Sequence, residues 1–213
     1  MDKENLKKLL LSFDEADYAS KIDLHMHSNE SDGILEPAEI VQQALKLGKK
    51  YISIADHNTI EAYLSTNILS NDILIPAAEF DCFYNGGIIH IIGYGIDIDN
   101  KEFQGICASN QAGRKSRIYR LFKLRSPEKV IYTIKKAGGI PVLAHPRRYF
   151  SLNFDSFIKP LADMGLEGIE AYYPYKGLKS LFIFHSDAVI KEAAEKYNLI
   201  KTGGTDFHGR KLA

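Results

Sequence analysis

Two cysteines, Cys82 and Cys107, are the only thiols in this chain of 213 residues. That is too few for a disulfide framework or for a structural zinc site built on thiolates. Each reads as a small apolar residue, and a reducing, cytoplasmic setting is expected. Neither charge is in excess, since Lys plus Arg and Asp plus Glu number 27 each. No global field therefore favours a membrane surface or a stable nucleic-acid complex. Apolar runs stop well short of the ~20 residues that span a bilayer. The first residues, with Asp2, Glu4, Lys7 and Lys8 ahead of a short Leu9-Leu10-Leu11, do not read as a secretory leader. Repeats, linkers and low-complexity segments are missing as well, so a single domain over 21–213 is expected, with a helix in 1–20 packed on it. Composition does not fix the oligomeric state.

What the chain does carry is the stretch Asp23-Leu24-His25-Met26-His27-Ser28-Asn29-Glu30-Ser31-Asp32-Gly33. Alternate side chains of a strand share a face, so Asp23, His25 and His27 point together before a turn-prone run ends the strand. Imidazole is the commonest metal ligand among side chains. The same ending recurs: Tyr51–Ala55 runs into Asp56-His57, Ile73–Ala78 into Glu79, Ile140–Ala144 into His145-Pro146-Arg147-Arg148, and 199–205 into Asp206-Phe207-His208-Gly209. A hairpin is predicted over 80–84 and 88–94, with His90 in its second arm. Helices are predicted over 3–17 with Leu6, Leu9, Leu10 and Phe13 as the apolar stripe, over 37–48, 59–71, from 127 to Gly138-Gly139, over 154–163, and over 179–197. The polar stretch 100–124 is partly helical, and 168–173 is a further strand. Strands alternating with helices predict an α/β fold of mainly parallel strands, and closure into a barrel would gather the strand C-termini at one rim.

Six of the seven histidines, His25, His27, His57, His90, His145 and His208, lie on or just beyond strand-like runs. With Asp32, Glu79 and Asp206 they make nine candidate ligands. As ordinary core residues they would bury imidazoles and carboxylates without matching cations, an expensive arrangement that metal ions relieve. Nitrogen and oxygen donors without thiolate suit Zn²⁺, Mn²⁺ or Fe²⁺ better than Ca²⁺. Nine donors exceed the three or four of a single catalytic zinc, so two or three ions are implied. His185 is read as a packing or surface residue of its helix. Glu170 is either a partner of the ligands or an ordinary buried carboxylate. No Ser/His/Asp set is present, and Gly203-Gly204 is too short for a phosphate loop.

Several segments, taken in order from about residue 21 to 209, resemble the motifs of the PHP (polymerase and histidinol phosphatase) superfamily. They are Asp23-Leu24-His25-Met26-His27-Ser28 with Ser31-Asp32-Gly33, Ala55-Asp56-His57-Asn58-Thr59, Ile75-Pro76-Ala77-Ala78-Glu79, His90-Ile91-Ile92-Gly93-Tyr94, Leu143-Ala144-His145-Pro146 and Gly204-Thr205-Asp206-Phe207-His208-Gly209. The resemblance implies a distorted (β/α)7 barrel carrying two or three divalent ions, Zn, Mn or Fe, with Mg a further candidate at the third site. It puts His25, His27, Glu79 and Asp206 on one ion, Glu79, His90 and His145 on a second, and Asp32, His57 and His208 on a third. The wording Gly93-Tyr94-Gly95-Ile96-Asp97, Ala144-His145-Pro146 with Arg148-Tyr149, and Gly168-Ile169-Glu170-Ala171-Tyr172-Tyr173-Pro174 is similar to the branch acting on nucleoside phosphates and short RNA ends.

Three departures stand out. Asp32 takes a place often held by histidine, Ala77-Ala78 replaces a glycine common before the glutamate, and only about forty residues separate Asp97 from Ile140, where relatives often insert a helical cap.

The chemistry expected is attack on phosphorus by a metal-bound water, with His208 and Asp206 as the protein groups beside it and a third ion or protonated His208 offsetting charge on the leaving oxygen. Arginine suits bidentate phosphate recognition, which makes Arg148, Arg114 and Arg117 candidate substrate clamps. The partner is a small phosphorylated metabolite, nucleotide or oligonucleotide end. Amide or lactone hydrolysis, protein tyrosine phosphatase activity and a non-enzymatic binding module remain alternatives. The first often needs a bridging lysine, and Lys201 lies too early in its run.

Overall fold

The computed structural model describes residues 1–64, 67–174 and 182–212. Its strands are β1 (Ile22–Met26), β2 (Tyr51–Ile54), β3 (Ala77–Tyr84), β4 (Gly87–Tyr94), β5 (Ile140–Leu143), β6 (Gly168–Tyr172) and β7 (Ile200–Gly203). Its helices are α1 (Lys3–Leu11), α2 (Glu15–Ser20), α3 (Pro37–Lys46), α4 (Glu61–Leu64), α5 (Lys101–Ile106), α6 (Gln111–Lys115), α7 (Arg117–Leu121), α8 (Pro127–Lys136), α9 (Phe154–Asp163) and α10 (Asp187–Lys196). Tight 3-10 turns occupy Asn67–Ser70 and Pro146–Arg148.

β1 and β2 form a parallel pair, and β3 to β7 form a five-stranded sheet in chain order. The expectation of mainly parallel strands holds for β1–β2 and β5–β6–β7 but not for β4, which is antiparallel to both neighbours. Asn85 and Gly86, both at positive φ (48° and 78°), reverse the chain tightly enough to pair β3 with β4 along their length. Isolated parallel bridges, Met26 to Phe207, Ile52 to Leu74 and His57 to Glu79, join the two sheets.

The predicted helix over 3–17 is two helices. α1 ends at Ser12, and Asp14 opens α2 through a capping box with Asp17. Leu6 and Leu10 of α1 pack with Ile22, Ile92, Ile140 and Ile200. Three of those begin parallel strands, so α1 covers the sheet end opposite the strand C-termini. Of the helix predicted over 59–71, residues 65–66 lie outside the described residues; α4 starts only at Glu61, after Asn58, which at φ 57° is tied to Asp81 of β3, and Asn67–Ser70 form a 3-10 turn. β3 starts at Ala77 rather than Ile73, since Pro76 has no N–H for the ladder. Of the helix predicted over 179–197, residues 179–181 lie outside the described residues, and α10 begins after its Ser186 cap. His185 is therefore not helical, and its Nε2 lies 3.1 Å from the Tyr149 carbonyl.

Candidate metal centre

Most of the predicted donors sit at strand C-termini or on the single antiparallel arm. His25 is in β1 and His27 follows it directly, His57 follows β2, His145 lies just after β5, and Asp206 and His208 follow β7. Glu79 and Asp81 alternate onto one face of β3, where Asp81 pairs in register with His90 of β4.

The centre of the arrangement is Glu79, 1 % exposed. Its carboxylate lies 3.4 Å from His25 Nε2, 3.4 Å from His27 Nε2, 3.3 Å from His57 Nδ1, 3.0 Å from His90 Nδ1 and 3.2 Å from His145 Nε2. His25 and His27 face each other nitrogen to nitrogen at 3.1 Å, with Asp206 Oδ1 3.3 Å from His27 Nε2. His90 Nδ1 meets His145 Nε2 at 3.2 Å. Further out, Asp32 Oδ1 lies 3.1 Å from His208 Nε2, and Asp32 Oδ2 lies 3.6 Å from His57 Nε2.

The outward nitrogens explain why the inward ones are free to ligate. His25 Nδ1 donates to Glu170 Oε1 at 3.0 Å and His208 Nδ1 to the Asp206 carbonyl at 2.9 Å, while His90 Nε2 stands 3.1 Å from Asp81 Oδ1. The bonds at His25 and His208 favour tautomers whose lone pair points into the cluster, the usual support of a metal-bound histidine. Among the described residues, buried His27 Nδ1 and His57 Nδ1 have no hydrogen-bond partner. Buried nitrogens facing nitrogens, with orphaned atoms among them, are costly without a cation between them. Three groups gather ligand atoms within 4.8 Å of one another: His25, His27 and Asp206; His57, Glu79 and His90; and His27, Asp32, His57 and His208. The residues present thus fit divalent ions.

Backbone strain accompanies two of the candidate donors. His145 and Asp206 take positive φ, 29° and 51°, values that L side chains adopt only when their surroundings hold them there. Asp206 is held by Tyr173, whose hydroxyl donates to Oδ2 at 2.6 Å, and His145 by its own N–H, which donates to Glu170 Oε2 at 2.7 Å. Burial works against the charge on Glu79, yet the imidazoles of His57, His90 and His25 keep its carboxyl well below the usual carboxylate range. Burial drives His57 down to about 3, with Glu79 and Asp81 opposing it only in part. At His90 the same carboxylates overcome burial and raise it to about 10.

A cavity of about 320 Å³ opens over the cluster, and Arg117, Arg120 and Arg148 contribute to its walls. Arg114, a predicted substrate clamp, is absent from that lining. Its guanidinium turns to Glu61 at 3.1 Å and Glu30 at 3.5 Å, two acidic partners that draw it off the site. Arg120 was not anticipated, nor was Asp81. Asp81 was legible at two residues from Glu79 on a strand face, whereas Arg120 carries no signal beyond a helical segment rich in arginine. Asp23 and Asp56 are also placed by the fold. Asp23 accepts from the Thr205 N–H and hydroxyl, tying β1 to the loop after β7, and Asp56 accepts from Ser28 and Ser31, fixing the loop that carries Asp32. Glu170, left open by the sequence, is a partner of two of the predicted donors, His25 and His145.

An α/β fold with nitrogen and oxygen donors collected at the carboxyl ends of its strands defines a class of metal-site protein. The PHP domain model matches residues 23–159, well over half of the sequence, and the chain belongs to that family. A 5'-3' exoribonuclease of Haemophilus influenzae is 31% identical over 136 residues, 61% of this chain and 50% of the relative, so the chain spans about half that relative's length. A phosphoribosyl 1,2-cyclic phosphate 1,2-diphosphodiesterase of Eggerthella lenta is 22% identical over 256 aligned positions, covering 88% of this chain and 94% of the relative. That alignment is longer than the chain itself, so this relative carries segments that the chain lacks. Among solved structures, a protein from Bifidobacterium adolescentis described as a candidate metal-dependent phosphoesterase superposes with a TM-score of 0.73 at 20% identity, over 91% of this chain and 90% of its own. The likeness concerns the fold.

Proposed function

We propose that the protein is a metal-dependent phosphoesterase that hydrolyses phosphate esters of a small metabolite, nucleotide or oligonucleotide end. The observation that carries this reading is the buried Glu79 carboxylate ringed by five imidazoles, an arrangement suited to bridging cations. His25, His27, Glu79 and Asp206 would hold one ion, Glu79, His90 and His145 a second, and Asp32, His57 and His208 a third. When bound, such ions lower the pKa of a water and polarise a phosphoryl oxygen. Zn²⁺, Mn²⁺ and Fe²⁺ match the first two donor sets, and the third, with its carboxylate, also admits Mg²⁺.

The protein's own side chains supply the rest. Arg148 and Arg117, both on the cavity wall, would take the phosphoryl oxygens as paired donors. As water attacks phosphorus in line, the bond to the leaving oxygen breaks, and that oxygen needs a proton. His208, oriented through Nδ1, would present a protonated Nε2 for this role only where no third ion takes that nitrogen, and Asp32 and Asp206 beside it favour the charged imidazole. A bridging lysine, the mark of the amide-hydrolase alternative, is not found among the described residues lining the cavity, and Lys201 pairs with Glu195 at 3.4 Å.

The bridges between the two sheets support a distorted (β/α)7 barrel, with residues 21–213 as one domain and α1 and α2 packed beneath it. Purified protein with Mn²⁺ should release phosphate or mononucleotide from a panel of phosphate esters and short oligonucleotides. Glu79→Gln and His25→Ala should each lower that rate by ~10³-fold or more, the several kcal/mol that bound ions contribute, and should lose tightly held metal by elemental analysis. Full activity after chelation, or in either variant, would overturn the proposal.

A further inference from the structure

Arg120 is buried, 5 % exposed, yet it is only partly satisfied. Its Nη1 lies 3.1 Å from Asp32 Oδ2 and donates to the Arg114 carbonyl at 3.1 Å. Its Nε stands 3.3 Å from Asp81 Oδ2 but makes no hydrogen bond among the described residues. Asp32 is the one carboxylate in the outer donor group with His27, His57 and His208. The residue that anchors the outer cation position is therefore already paired with a cation of the chain's own. A divalent ion arriving at Asp32 would meet a guanidinium bonded to the same carboxylate, and like charges this close repel strongly where water is scarce.

We propose that Arg120 is a tethered competitor for the outer ion: guanidinium and divalent cation exclude one another at Asp32, and the third ion binds only as Arg120 withdraws. The inference rests on the metal-site reading above. Its means of withdrawal is α7, a helix of five residues that packs weakly, with Ile118 71 % and nearby Phe122 81 % exposed. Among the described residues, Arg120 is the one member of α7 classed as buried, so the ion pair is what seats the helix. Asp81 gives the displaced guanidinium a second carboxylate within reach, so withdrawal does not strand a buried charge. On this view the inner two positions, grouped around Glu79, fill first, and the outer one is held weak by the chain itself.

The test is calorimetric titration of chelator-stripped, full-length protein with Mn²⁺. The wild type should bind two equivalents tightly and a third weakly. Arg120→Gln should tighten the third by about tenfold or more, while Arg120→Lys, which keeps the charge, should stay near wild type. An unchanged or weakened third site in Arg120→Gln would mean that Arg120 merely orients Asp32, and would overturn the inference while leaving two-ion binding intact. Binding at no site would overturn the metal reading and this inference together. Should Arg120→Gln fail to fold, the wild type supplies the answer. Backbone amides of 117–121 should lose hydrogen-exchange protection between two equivalents of Mn²⁺ and saturation, and unchanged protection would refute the competition.

Discussion

At Gly204 an added Cβ would lie 2.4 Å from both the backbone N and the Cβ of His25, so the turn after β7 runs directly against β1. That closeness is what lets Asp206 share a ligand group with His25 and His27. Gly204→Ala should cost about 1–3 kcal/mol through overpacking and weaken Mn²⁺ binding as well, readable together by thermal unfolding and titration. The imidazoles set a pH dependence. His90, raised to about 10 from an ordinary 6.5, stabilises the metal-free fold fully below about 6.5 and loses that contribution as pH climbs toward 10. His57, lowered to about 3, works the other way: it stays neutral when folded, and stability falls as the unfolded chain takes up protons below about 6.5. Metal-free protein should therefore unfold most reluctantly near neutrality. With ions bound, His90 is held deprotonated, and the alkaline decline between pH 7 and 9 should flatten in calorimetric scans. A decline of equal slope with and without metal would contradict this.

Among the elements, α1 offers a test separate from the centre. Leu10 is fully buried beneath the sheet, and Leu10→Ala should lower stability by about 2–5 kcal/mol while leaving the number of bound ions unchanged. Much of the centre was readable in the sequence because a strand fixes which side chains share a face, and His25 with His27, or a run ending in Glu79 or His145, therefore announces itself. Helix boundaries were harder. The split between α1 and α2 was written in Asp14 and Asp17 but masked by an apolar stripe continuing to Phe13, and the start of α4 at Glu61 rather than Thr59 follows Asn58 bonding to β3, a long-range tie that no local pattern carries. Arg114 was misplaced for a similar reason: Glu30 and Glu61, far off in sequence, decide where its guanidinium goes.

For the whole molecule, no helix among the described residues is long and apolar enough to cross a membrane, and the cavity over the centre is walled by short helices and loops of the same chain. Removal of metal should be felt throughout. Ions that bind only the folded state stabilise it by mass action, about 4 kcal/mol at a thousandfold excess over Kd, so excess chelator should lower the unfolding temperature by several degrees, and restored Mn²⁺ should bring it back. No shift in either direction would argue against tight ligation.

The junction of the two sheets adds something further. Backbone bonding there is reduced to isolated bridges, while the donors on either side, His25, His27 and His57 from one sheet and Glu79, His90 and His145 from the other, interlock across it. Cations seated between them would act as rivets at a seam, so that the ions of the proposed chemistry and the clasp that keeps the molecule shut would be the same atoms. Starved of metal, the protein would part first along that line, exposing its interior to proteases at the candidate metal centre itself.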